Sequence, residues 1–250
     1  LNAINYPPVV GPITAPVNPV PVGATVNASA PFSDPDKLDT HTAVWDWGDG
    51  NTSAGTVTET NGAGTVTGDH AYTTPGVYTV QVTVQDEFGN SDTEIFQYVV
   101  VYDPNGGFVT GGGWINSPAG AYTADPSLTG KASFGFVSKY QKGTTVPVGN
   151  TQFQFHATSF NFSSTSYEWL VIAGAKAQYK GSGTINGGGD YGFMLTAIDG
   201  QVNGGGGVDK FRIKVWDKIS GAVIYDNQMG GADTDNPTTV LGGGSIVVHK

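Results

Sequence analysis

Cysteine is absent from the sequence, which excludes a disulfide framework, a thiol nucleophile and a thiolate-held zinc. Stability must come from packing, or from a metal held by oxygen. Charge is also scarce: charged residues make up 13% of the chain and hydrophobic residues 38%, too apolar and too weakly charged a balance for disorder. Basic residues are the rarer sign, 11 against 21 acidic ones for a net charge of −10. That surplus repels phosphate backbones and anionic lipid, so nucleic acid is not expected as a partner. Clustered carboxylates suit divalent cations instead. No apolar run reaches the roughly 18 residues of a membrane span, so no membrane insertion is expected. The chain opens on Leu1 without a signal-peptide pattern and reads as a processed or excised piece of a longer protein.

Glycine and β-formers are what the sequence has in plenty. With 250 residues, 38 of them glycine and 14 proline, and no Gly-X-Y period, the glycines read as turn chemistry between strands. The prolines of residues 1–22 (LNAINYPPVVGPITAPVNPVPV) favour an extended approach or an edge strand, and residues 1–11 are set apart as a lead-in. From Gly23 to Asp103 short alternating runs succeed one another. In VYTVQVTV the side chains of Tyr78, Val80, Val82 and Val84 share one face and Val77, Thr79, Gln81 and Thr83 the other, as in a half-buried strand. The Pro/Gly stop at Asp103, Pro104, Asn105, Gly106 and Gly107 marks a boundary. The expected organisation is all-β: an immunoglobulin-like β-sandwich over 12–103, then a second Gly-rich antiparallel sandwich or barrel-like domain over 104–250. In that second domain EWLVIAGAKAQYK is expected as strand. DKFRIKVWD and AVIYDN form a hairpin across KISG, with Phe211, Ile213 and Val215 facing inward.

Three elements in order carry a family resemblance: Trp45, Asp46, Trp47, Gly48, Asp49, Gly50; then His70, Ala71, Tyr72; then Pro75, Gly76, Val77, Tyr78, Thr79, Val80. The region resembles the PKD (polycystic kidney disease type) domain, an immunoglobulin-like sandwich marked by such a turn, an H-x-Y and a P-G-x-Y-x-V strand. The turn acids, glycines and tryptophans read as structural. The resemblance also implies calcium, since bacterial PKD domains often hold Ca²⁺ with an S-D-P-D type loop and the Asp that ends a later strand. The matching positions are Asp34, Asp36 and Asp86, with Asp39 and Asn27 as further candidates. Lys37 and Leu38 stand where the common loop has glycine. A solvated acidic turn is the alternative. The block from GGGWINSPAGAY to GGGSIVVHK is similar to the post-COAP type domain of bacterial secreted proteins, which implies location rather than activity.

Asp209, Asp217 and Asp226, with Asp233 and Asp235, gather near one hairpin as a second possible metal site, or as surface acids and turn formers. Trp216, on the outward face with Arg212 and Lys214, and Tyr140 are candidates for stacking on sugar rings; Trp114 and Trp169 are expected in the core. Catalysis has no support. His41, His70, His156 and His249 form no H-E-x-x-H, no G-x-S-x-G exists, and the G-x-G-x-x-G from Gly187 to Gly192 lacks a βαβ unit. The expectation is a non-catalytic, Ca²⁺-binding structural or adhesive module of a bacterial extracellular, secreted or cell-surface protein, serving as spacer or assembly subunit. Its partners would be neighbouring domains, other copies of itself, or surface glycans. The alternative is a carbohydrate-binding accessory module of a secreted hydrolase.

Overall fold

The computed structural model describes residues 5–250, which hold strands and turns and no helix. The chain divides into two compact units between Val101 and Tyr102.

The described residues of the first unit form β1 (Val9–Val10), β2 (Val20–Pro21), β3 (Thr25–Ser33), β4 (His41–Asp46), β5 (Thr52–Ala54), β6 (Thr56–Thr60), β7 (Ala63–Ala71), β8 (Gly76–Asp86) and β9 (Ser91–Tyr102). They make two antiparallel sheets, β1-β3-β7-β6 and β2-β9-β8-β4-β5, packed face to face. The alternation of β8 decides its orientation: Val80, Val82 and Val84 are fully buried, and the residues between them face outward. Val26, Ala28, Ala30 and Phe32 of β3 answer from the other sheet, giving a sandwich core by the period-two rule. Trp45 and Trp47 fill its centre, fully buried and stacked with ring centroids 5.5 Å apart. The proline-rich lead-in is partly structure. Val9 and Val10 pair with Ser33 and Phe32, and Val10 is buried; β1 is an edge strand, where prolines just before it cost no ladder bond. Residues 1–4 of that lead-in lie outside the described residues.

The second unit contains β10 (Phe108–Ser117), β11 (Gly130–Tyr140), β12 (Pro147–Phe155), β13 (Phe160–Ala173), β14 (Lys176–Ile185), β15 (Gly188–Ile198), β16 (Lys210–Asp217), β17 (Val223–Asp226) and β18 (Gly243–His249). Among the described residues these form one antiparallel sheet in the order β17-β16-β15-β14-β13-β12-β11-β10-β18. The sheet wraps around a single core of aromatic rings. Phe153, Phe155, Phe160, Phe162, Phe193 and Phe211 are each at most 2% exposed, and each such ring contributes about 1.5–3 kcal/mol on burial. Phe211, Ile213 and Val215 face inward as their alternation requires.

The wrap closes where the two ends of the sheet meet. Phe211 donates to the Thr239 carbonyl and Leu241 to the Asp209 carbonyl. The backbone N–H groups of Ile246 and Val248 donate to the carboxylates of Asp209 and Asp199, at 2.7 and 2.9 Å. Carboxylates thus stand in for a missing neighbour strand along that seam. Several glycine clusters are strand rather than turn: Gly111, Gly112 and Gly113 lie inside β10, and Gly243 and Gly244 inside β18. Gly113 and Gly244 explain themselves, because a Cβ on either would strike the backbone of the other strand.

The segment between β17 and β18 covers the outer face of β14 to β16. Gln178 donates to the Asp233 carbonyl at 2.6 Å and Lys176 to the Thr234 carbonyl at 2.8 Å. Lys214 pairs with Asp233 at 2.7 Å. Gln178, Thr196 and Arg212, polar residues on the outward alternation, are buried for that reason.

Candidate metal centre

The turn after β4 is built from its own acids. Asp46 accepts the N–H of Gly48, and Asp49 accepts the N–H of Asn51. Gly48 and Gly50 sit at φ of 75° and 89°, a region that strains any residue with a Cβ. His70 Nε2 lies 2.8 Å from Asp49 and its ring stacks on Trp47, while the Tyr72 hydroxyl donates to the Trp47 carbonyl. Burial opposes ionisation of Asp49, but hydrogen bonds from His70 and Asn51 outweigh it and hold this carboxyl below the usual aspartate range.

At one end of the sandwich the loop after β3 and the end of β8 bring Asp34, Asp39 and Asp86 together, with one carboxylate oxygen from each within 4.8 Å of the others. The loop is anchored at Gly62, whose carbonyl accepts the Asp34 N–H at 2.6 Å; Gly62 has a φ of 73°, and a Cβ there would strike the Asp34 carbonyl. Asp34 is 5% and Asp86 4% exposed. Asp86 accepts the N–H groups of Phe88 and Asn90 and the side-chain amides of Asn90 and Asn5. Those bonds outweigh the opposing effect of burial and hold its pKa down. Asp39 differs. Its Oδ2 is buried without a hydrogen-bond partner, and desolvation followed by repulsion from Asp36, Asp34, Glu87 and Asp86 pushes its carboxyl up.

His41 backs the cluster, with Nε2 3.0 Å from Asp34 and Nδ1 2.6 Å from Glu59. Burial alone would lower its pKa, yet the hydrogen bonds to Asp34 and Glu59 prevail and raise it. When protonated, the ring neutralises part of the charge behind Asp34. Neither His41 nor Asn5 was singled out from the sequence as part of this site.

Two other expected ligands, Asp36 and Asn27, are not in that grouping. The Asp36 carboxylate accepts the N–H of Tyr6 at 2.7 Å, and its own N–H donates to Asp34. Asn27 pairs across the sheet with Asp69, six residues up β3 from Ser33, which at about 3.4 Å per residue is some 20 Å away.

A profile of the family described as "PKD domain" matches residues 5–101. Residues 5–101 form a PKD domain. Among solved structures the chain is similar to the PKD1 domain of Vibrio anguillarum Epp, with 27% identity, covering 39% of this chain and 99% of that one at a TM-score of 0.29. It is also similar to a structure described as bearing on the promiscuous specificity of carbohydrate-binding modules of the β-sandwich superfamily, with 17% identity, covering 98% of this chain and 93% of that one at a TM-score of 0.33. No curated protein matches.

Outside the PKD domain, the acids expected near the second hairpin are not brought together. Asp209 accepts the N–H groups of Gly200 and Ile246. Asp217 closes the turn at Ile219 and Ser220. Asp226 is paired with Arg212. Each carboxylate serves its own stretch of chain, and among the described residues no metal-like grouping includes them. Nor do Trp216 and Tyr140 make one platform, since β12 to β15 separate their strands. The Tyr140 hydroxyl donates to the Leu170 carbonyl and accepts the Leu170 N–H, and burial, the larger effect, pushes its pKa up to about 12. Trp216 covers Gly192, where a Cβ would collide with the ring. Trp169 is buried, but Trp114 is only half-buried and lies on the outer surface.

Proposed function

We propose that this chain is a non-catalytic structural module of an extracellular bacterial surface protein, with its PKD domain stiffened by Ca²⁺ at Asp34, Asp39 and Asp86. The observation that carries the reading is the shielded, unpartnered Oδ2 of half-buried Asp39 beside the buried carboxylates of Asp34 and Asp86. Crowded carboxylates with an unpartnered, shielded oxygen among them are costly, and a hard cation that takes six to eight oxygens removes that cost. Calcium would supply a cross-link between the loop after β3 and the end of β8. Asn5, bonded to Asp86, brings the approach to the domain into the same knot, as a spacer requires. No helix among the described residues is long and apolar enough to cross a membrane.

The test is thermal unfolding with excess Ca²⁺ and after chelation. At a hundredfold excess over Kd, mass action adds about 2.7 kcal/mol, or roughly 11–22 °C for a domain of this size. Asp39→Asn should abolish that shift while raising the melting temperature of the chelated protein, because it removes the repelled charge. Equal melting with and without Ca²⁺ would sink the proposal.

A further inference from the structure

We propose that the outer face of β10 to β13 binds an uncharged, extended polysaccharide chain. Two cross-strand rows define the site. Trp114, Ser133, Gln154 and Asn161 stand opposite one another across the four strands, and beside them run Gly112, Gly135, Gln152 and Ser163. With strands about 4.8 Å apart, each row is about 14 Å long. Over their β11 to β13 part lies an open groove of about 450 Å³ lined by Gly135 and these serines, glutamines and Asn161, and Trp114 and Gly112 of β10 stand at its end.

The two glycines are what the fold leaves unexplained. A Cβ on Gly135 would meet nothing within 4 Å, and one on Gly112 only the Phe134 carbonyl at 3.9 Å. Neither has a positive φ. Most glycines elsewhere in these strands make room for a ring or a backbone; these two make room for nothing in the chain. Glycine inside a strand weakens it, and its recurring use there is to admit close approach by something else.

What approaches is set by the lining. Gln152, Gln154 and Ser163 are exposed, and no hydrogen bond among the described residues engages their side chains. Ser133 is oriented by His156 at 2.8 Å. Among the described residues no Asp or Glu lines the groove, in a chain of net charge −10; the one acid in β10 to β13, Glu168, is paired with Lys180, so the groove offers amides and hydroxyls without the carboxylates that dominate elsewhere. The indole of Trp114 fills the space above Gly242 and Gly243, where a Cβ on either would collide with it. The ring is thus spread over backbone at the head of its row. The exposed Lys131 ammonium lies 5.3 Å from the ring centroid. An aromatic face followed by a line of neutral donors and acceptors matches a sugar ring's apolar face and hydroxyl rim.

The full chain would be tested by depletion from solution on cellulose, chitin, insoluble xylan and mannan, with polygalacturonate in an affinity gel as the charged comparison. Retention on at least one neutral polymer is expected, weakened at least about tenfold by Trp114→Ala and by Gly135→Thr. Gly135→Thr should melt at or above the parent temperature, because the added side chain has space and favours a strand. That separates a blocked groove from a damaged fold. Failure to bind every neutral polymer, binding to polygalacturonate alone, or binding that Gly135→Thr leaves intact would overturn the proposal. Repeating the measurement in chelator keeps it independent of the calcium reading.

Discussion

Replacing Arg212 by Met should weaken the second unit severely. Arg212 is 3% exposed and Asp226 3%. The guanidinium donates Nε and Nη2 to the two Asp226 oxygens at 3.0 and 2.8 Å, Nη1 to the Ala232 carbonyl at 2.6 Å, and Nη2 to the Gly231 carbonyl at 2.9 Å. Methionine fills most of the stem's volume but leaves Asp226 charged and buried, with the N–H of Gln228 as its remaining partner. Breaking a buried pair from one side costs about 3–5 kcal/mol, and in a unit of this size each kcal/mol moves the melting temperature by about 2–4 °C. The expected drop is therefore roughly 6–20 °C, read by near-ultraviolet circular dichroism. Hydrogen exchange should show the loss first between residues 228 and 241, the segment that Arg212 ties down. Arg212→Lys should recover little, because a point charge cannot make the fork. Arg212→Met with Asp226→Leu should melt above Arg212→Met alone, because no charge is then stranded. An Arg212→Met protein within about 0.5 kcal/mol of the parent, the ordinary range of surface substitutions, would refute the reasoning.

Other outcomes follow from the PKD domain. The depressed pKa of Asp49 means that its contribution to stability is complete above about pH 3.8, its ordinary value, and is lost as pH falls through the lower folded value. Asp49→Asn should therefore flatten the acid limb of a pH–stability curve measured by urea midpoint. Gly48→Ala should cost more than Gly50→Ala. Both pay about 1–2 kcal/mol for the left-handed backbone, but only at Gly48 would the Cβ strike the Thr79 carbonyl; urea midpoints for the two variants check the difference.

Much of the sandwich was legible because period-two burial is written directly into β8, and the paired tryptophans of the turn after β4 announce a plugged core. The loop after β3 was less legible. Which of its acids turns inward depends on the turn in which the Asp39 N–H meets the Asp36 carbonyl; with Leu38 exposed at its apex, Asp36 is sent to Tyr6 and Asp39 to the cluster. Asn5 reaches Asp86 from 81 residues away, beyond any local pattern. In the second unit, glycine triplets resemble turns in sequence. Only the register shows that those of β10 and β18 lie under the Trp114 ring or against each other. Arg212 shares the outward face of β16 with Lys210, Lys214 and Trp216, so nothing in that alternation marked it for burial under a strap.

The seam between β10 and β18 has a consequence for how the second unit forms. Phe108 pairs with His249 and Trp114 with Gly243, so one interior edge of the sheet stays bare until a segment more than a hundred residues downstream arrives. Such long-range pairing makes folding slow. During the wait, both the outer edge of β10 and the seam facing Asp199 and Asp209 are open templates for a strand. The nearest competitor for those templates is β18 of a second molecule, which makes exchange of that strand between copies the natural route by which this domain would misassemble.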